Sequence, residues 1–170
     1  MAKVLLISEQ TIKTNSVINN NVDTMYILPA IEFAQDEGLQ PLIGTKLYEK
    51  LMYLVEQDII QDNSDYQLLL DEYITPYLLN KVTADIQIPL SYKLRNQGVV
   101  QQTSENTYVP SMKDTQYVIQ HYDNKANFYA NRMSDYLKAN RSKYPEYGSV
   151  DSCADMPSNS GAYKTNIYLG

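Results

Sequence analysis

In 170 residues this chain has one cysteine, one histidine, two phenylalanines and no tryptophan. A lone Cys153 excludes a disulfide framework within the chain. One histidine and one cysteine are too few nitrogen and sulfur ligands for a structural zinc site. A Ser-His-Asp or Cys-His enzyme would have to route its proton transfers through His121 alone. Long apolar runs are missing as well, and none approaches the roughly 20 residues of a membrane span. The segment MAKVLLISEQ has a short apolar stretch, Val4 to Ile7, without a cleavage pattern, so synthesis and folding in a cytosol are expected. Basic charge is scarce: 14 Lys and Arg stand against 20 Asp and Glu, a net charge of -6. That sign argues against wrapping nucleic acid through phosphate neutralisation.

What is present is a 44% hydrophobic share, enough at this length for a core without disulfide or metal staples. The chain is one domain's worth of residues with a tail to spare. Tyrosine is the abundant residue, with 16 copies. Its large ring and polar tip suit surfaces that are wet in one state and covered in another. Tyr used in place of Phe within a core is equally compatible with the count.

The spacing of apolar residues predicts a mainly α domain of about four helices over 22–144, with an N-terminal arm over 1–21 and a flexible C-terminal tail over 145–170. Residues 3 to 7, KVLLI, read as a short strand or an extended arm; Thr11 to Asn21 is polar, and Asn19, Asn20 and Asn21 mark a loop. Asp23 is a good N-cap for a first helix that Pro29 should kink or break and Gly38 should stop. Leu47, Leu51, Leu54 and Val55 mark a second helix, about Thr45 to Ile60. A third has Leu69, Leu70, Tyr73, Ile74, Tyr77, Leu78 and Val82 as its stripe, with kinks expected at Pro76 and Pro89. Near 96–110 two β-prone runs, Val99–Thr103 and Thr107–Val109, flank a polar turn and predict a short hairpin or extended tongue. The fourth helix, capped by Ser111 or Asp114, repeats Ile119, Tyr122, Ala126, Tyr129, Met133, Tyr136 and Asn140 at alternating spacings of three and four. That is a packing face. The tail, rich in Pro, Gly, Ser and Asn, ends in a β-compatible run from Tyr163 to Leu169.

Charge is unevenly placed along the chain. Over 22–72, eleven acidic side chains face only Lys46 and Lys50, a net of -9; over 73–144, nine basic and five acidic side chains leave +4. Such a chain can set one half against its neighbour's other half, in a ring or a filament. Solvated surface charge without further role gives the same pattern.

Catalytic and ligand motifs are weak. Asp58, Asp62, Asn63 and Asp65 lack the alternating ligands, central glycine and terminal glutamate of a calcium loop. Gly44-Thr45-Lys46 resembles the end of a phosphate loop, but the upstream glycine pattern is missing. His121 has no evident nucleophile beside it, and Cys153 has no basic neighbour to lower its pKa. No catalytic residue, metal site or cofactor is assigned.

The succession Leu6-Ile7-Ser8-Glu9, Ile12-Lys13, Asn21-Val22-Asp23, Ile27-Leu28-Pro29-Ala30-Ile31 and Leu42-Ile43-Gly44-Thr45-Lys46-Leu47-Tyr48-Glu49-Lys50-Leu51 resembles the head-to-tail connector, adaptor or neck-ring, proteins of tailed bacteriophages. The nearest likeness is to the type found in phages of Bacteroides-type bacteria, including the crAss-like group. It spans about residues 5 to 140 and consists of packing and turn patterns. The resemblance implies a non-enzymatic virion protein without cofactor. It implies a ring, twelve-fold in that family, docked below the portal protein and contacting the next neck or tail protein. DNA would pass through without specific binding, and no membrane is involved. The expected partner contacts are Val99, Val100, Tyr108 and Val109 in the tongue, with Tyr163, Ile167, Tyr168 and Leu169 in the tail. An extended end of this kind can add a strand to a neighbour's sheet edge. A cytosolic helical adaptor or regulator of monomeric or dimeric state is the alternative reading, and a small enzyme built on His121 or the acidic residues is the other.

Overall fold

The computed structural model describes residues 4–18, 21–95, 98–101, 111–149 and 155–158. It is mainly helical. In chain order the helices are α1 (Glu9–Asn15), α2 (Thr24–Phe33), α3 (Gln40–Ile43), α4 (Thr45–Glu56), α5 (Ser64–Leu69), α6 (Thr75–Asp85), α7 (Gln87–Ser91) and α8 (Met112–Ala139). α6 is the central element. Tyr77, Leu78, Val82, Thr83 and Ala84 are buried around its circumference, as a helix enclosed by its neighbours requires. α8 packs along it on one flank, and α2 with the segment that follows it on another.

α2, the first helix expected from the sequence, starts where the sequence places it: the Asp23 side chain accepts from Met25 N–H at 3.1 Å. It does not stop at Gly38. The backbone continues through a widened π-helical segment, Ala34–Leu39, into α3, and ends at Gly44. Gly38 is small for a packing reason: a Cβ there would lie 2.3 Å from the Tyr77 hydroxyl. Gly44 is the terminator, with φ 84 and ψ 155, a conformation close to glycine's own.

Two prolines are accommodated in one way. A helical proline lacks an N–H and its ring collides with the carbonyl four residues back. Before Pro41 the Gln40 N–H reaches the Gln35 carbonyl, and before Pro76 the Thr75 N–H reaches the Leu70 carbonyl, each five residues back. The widened turns Ala34–Leu39 and Leu70–Ile74 thus lead into each proline without ending the rod.

The N-terminal arm differs from expectation. Residues 4–7 form no strand, and the stretch read as polar from Thr11 begins inside a helix, α1, which starts at Glu9 and runs to Asn15. Ser8 caps that helix, and Ile12 lies in the core. Leu6, Ile7 and Ile18 are buried too. A buried amide fastens the arm: Leu6 N–H donates to Gln35 Oε1 at 2.7 Å, while Gln35 Nε2 donates to the Val4 carbonyl at 3.2 Å.

α4, the second helix expected from the sequence, ends at Glu56, before the expected Ile60; Asp58, at φ 55, begins the turn to a 3-10 segment, Ile60–Asp62. The strand pairing also differs. Strand β1 (Tyr92–Arg95) pairs antiparallel with β2 (Gly98–Gln101), with Arg95 opposite Gly98. The run beginning at Val99 therefore pairs with the chain before it. The expected hairpin about Ser104-Glu105-Asn106 is not supported, and 102–110 lie outside the described residues.

The predicted seam of α8 is close to the observed one. Ala126 and Met133 are buried, but Thr115, Ala130 and Leu137 complete the buried face. Tyr122, Tyr129 and Tyr136 are half-buried at its edges. Small Ala126 and Ala130 let α8 approach α6 closely, and the larger Tyr side chains flank that contact.

Candidate functional site

Three places carry chemistry or contact potential: an aromatic cluster, a C-terminal strap and an apolar groove. The cluster joins α5, the widened turn after it, α8 and the residues that follow α8. Tyr144 is fully buried; its hydroxyl donates to the Asp65 carbonyl at 2.7 Å and lies 3.1 Å from the Tyr136 hydroxyl. Tyr136 stacks on Tyr73 at 4.2 Å between ring centroids, and Tyr66 meets Tyr144 edge-on at 5.4 Å. The Arg132 guanidinium sits 4.9 Å from the Tyr73 ring. Tyr66 donates to Glu146 Oε2 at 2.7 Å, and Lys143 pairs with Asp65 at 2.8 Å. Burial, then the Tyr136 hydroxyl and the Asp65 carboxylate, push the Tyr144 phenol well above its usual range; burial and then Glu146 do the same to Tyr66. These tyrosines stay neutral and donate hydrogen bonds.

The strap is the segment 155–158. Thr45 N–H donates to the Met156 carbonyl at 3.0 Å, and Met156 N–H donates to Thr45 Oγ1 at 2.9 Å. Lys46 and Asp155 lie 3.7 Å apart. The first turn of α4, which resembled a phosphate loop, is therefore occupied by the chain itself. The stretch expected to be loose from Pro145 onward has Tyr147 in the core and Met156 pinned to α4.

The groove is bounded by α2 on one side and α7 on the other, with Ile119 of α8 at its end. It encloses about 510 Å³. Met25, Pro29 and Phe33 recur every four residues and form the α2 wall. Met25 is 63% exposed, Phe33 53% and Ile88 57%. Asp85 also lines the groove. One of its oxygens accepts from Lys81 at 3.1 Å, and the other is buried without a partner among the described residues. Lys81 also reaches Asp123 at 3.5 Å. Burial pushes the Asp85 carboxyl up, more than Lys81 pulls it down, and Asp123 and Glu37 add to the rise. Burial pulls the Lys81 ammonium down, but Asp85, Asp123 and Glu37 together hold it above its ordinary value. One cation thus serves three carboxylates, so it stays charged while Asp85 remains under-compensated.

Charge divides by element. Residues 22–45 contain Asp23, Glu32, Asp36 and Glu37 and no Lys or Arg, and these four carboxylates lie on the exposed side of α2 and its continuation. α8 exposes Lys113, Lys125, Arg132 and Lys138 among fewer carboxylates. Its outward face also bears Tyr117, 74% exposed, His121, and Phe128, 64% exposed.

His121 lies in a shallow depression with Asn80, Asn124, Lys125, Phe128 and Tyr129, its ring edge-on to Tyr122 at 5.3 Å. Among the described residues no three His, Cys, Asp or Glu side chains gather as a metal site, and no helix is long and apolar enough to cross a membrane. The acidic stretch near Asp62 serves the fold: Asn63 Nδ2 donates to the Ile59 carbonyl and Asp65 holds Lys143. Of the contacts expected from sequence, Val99 and Val100 lie on β2. Tyr108, Val109, Tyr163, Ile167, Tyr168 and Leu169 lie outside the described residues. The groove is not visible in the sequence, where Pro29 reads as a kink or break and Met25 and Phe33 carry no separate signal. Only their joint four-residue repeat, beside a second stripe, Ile27 and Ile31, that fills the core, could have marked it.

A family model matches residues 39–156. The chain belongs to DUF6712, a family of unknown function. The DUF6712 match begins at the end of the widened turn before α3 and ends at Met156, the residue that closes the strap on Thr45. No curated protein and no solved structure matches the chain.

Proposed function

We propose that this DUF6712 protein is a structural, non-enzymatic virion component: a head-to-tail connector that assembles as a ring below the portal protein and docks the next neck or tail protein. The observation that carries the reading is the division of charge between elements, an α2 side with carboxylates only and a predominantly basic α8. A subunit with unlike surfaces of opposite sign associates head to tail, and such contacts close into rings when the rotation per subunit divides a full turn. Exposed aromatic and apolar side chains on both surfaces give the contact its buried area. Excess negative charge also suits a conduit, because DNA slides past carboxylates without phosphate contacts. In this reading the segment 96–110 is a tongue and the end of the chain a tether, each reaching a neighbouring protein.

The experiment is mass spectrometry of purified virions, with native mass and negative-stain images of the isolated protein over rising concentration. A closed oligomer of uniform size, and the chain present in virions at a fixed multiple, support a connector. A protein that stays monomeric or dimeric at every concentration and is missing from virions supports the cytosolic adaptor instead.

A further inference from the structure

We propose that the apolar groove between α2 and α7 is the acceptor for the outward face of α8 from a second copy of this chain. The proposal rests on the ring reading above for its setting and names the surfaces that would make the contact.

The two surfaces match in chemistry. The groove's α2 wall is apolar along Met25, Pro29 and Phe33, and the chain over 22–45 offers carboxylates with no cation. The α8 face is aromatic at Tyr117 and Phe128, with Lys113, Lys125 and Arg132 beside them. Charge complementarity of this kind fixes orientation and speeds encounter, while the apolar centre supplies affinity. The lengths agree too. Tyr117 and Phe128 are eleven residues apart, about 16 Å along a helix, and Met25 to Phe33 covers about 12 Å.

The surfaces also point apart. Ile119 of α8 contributes to its own groove. Phe128 lies nine residues on, about 180° round the helix from Ile119, and Tyr117 about 160°. A subunit therefore carries its groove and its aromatic face on opposite sides of α8. Pairing one with the other leaves a free groove at one end and a free face at the other, so the contact propagates and does not stop at a dimer.

The test uses two variants of the full chain. One combines Phe33→Asp with Ile88→Asp in the groove, and the other carries Phe128→Asp on α8. All three positions are exposed, so helical circular dichroism should match wild type, and the melting temperature should match that of wild type diluted to monomer. Both damaged surfaces gain negative charge and cannot pair with each other. Each variant alone should be monomeric. Their equimolar mixture should give a 1:1 heterodimer, because one groove and one α8 face remain intact in it. Variants that still assemble while wild type forms rings would overturn the assigned surfaces and leave the connector reading standing. A mixture that stays monomeric while wild type assembles would do the same. Wild type that is monomeric at every concentration would remove both. Wild type that forms open filaments, with the heterodimer in the mixture, would keep these surfaces and remove the ring.

Discussion

One helix, α8, carries two sets of aromatic residues with opposite fates. At its C-terminal end Tyr136 stacks on Tyr73 and touches the hydroxyl of the buried Tyr144. About two and five turns earlier, Phe128 and Tyr117 face outward and are mostly exposed. The difference lies in what stands opposite. α5 and the widened turn before Pro76 present Tyr66 and Tyr73 to the inner set, whereas nothing described in this chain covers the outer set. A tyrosine count therefore combines two kinds of residue: those that close the domain, and those left available to a second molecule.

The inner set should break most severely. Tyr144→Ala removes a fully buried ring and its hydrogen bond to the Asp65 carbonyl, and a loss of about 3–5 kcal/mol is expected in urea unfolding. A loss below 1 kcal/mol would mean that the cluster decorates the domain without closing it. Next in size is Gly44→Ala, which forces a side chain into a glycine conformation and brings its Cβ within 3.1 Å of the Ser158 nitrogen. About 1–3 kcal/mol is expected, with faster proteolysis between Tyr147 and Met156 as the sign that the strap has lifted.

Asp85 sharpens the comparison from the groove side. Its folded pKa is raised by burial, so between its ordinary value near 4 and that raised value the folded state holds a proton the unfolded chain has released. The contribution to stability is present below the unfolded pKa and is lost as pH rises through the folded one. The stability of wild type minus that of Asp85→Asn should therefore fall from pH 4 upward, and a flat difference across pH 3.5–7 would show that Asp85 is solvated. The smallest effect belongs to the outer set. Tyr117→Ala should change the monomer's stability by no more than about 0.5 kcal/mol while weakening self-association, read by sedimentation at several concentrations. Loss of both together would place Tyr117 with the inner set.

Much of this arrangement was legible in the sequence. The Asp23 cap, the stripe from Leu69 to Val82 and a cap at Ser111 or Asp114 were visible because each depends on local chemistry, and the structure joins Ser111 and Asp114 in one capping box. α1 was missed because its only buried side chain is Ile12, and Ile18 joins the core after the helix has ended. Gly38 misled because it satisfies tertiary packing against Tyr77, and a small residue required by a partner 39 positions away looks like a helix stop. The widened turns before Pro41 and Pro76 have no sequence signature apart from the prolines, which also announce kinks and breaks. The groove was hidden by its composition: an apolar residue exposed beside a cleft and one buried in a core are the same letter until the neighbours are placed.

The strap gives the chain a defined path for mechanical load. A pull on the segment 155–158 is carried by the paired Thr45–Met156 hydrogen bonds, with Lys46 and Asp155 beside them. Tension therefore passes into the first turn of α4, whose Leu47, Leu51 and Leu54 are anchored in the interior. Tyr147 and Tyr144 lie behind that point along the chain and are shielded from the force until the strap gives way. Thr45→Val, which deletes the hydroxyl acceptor and leaves the backbone bond, would lower the force at which the end first yields without altering the resistance of the domain behind it.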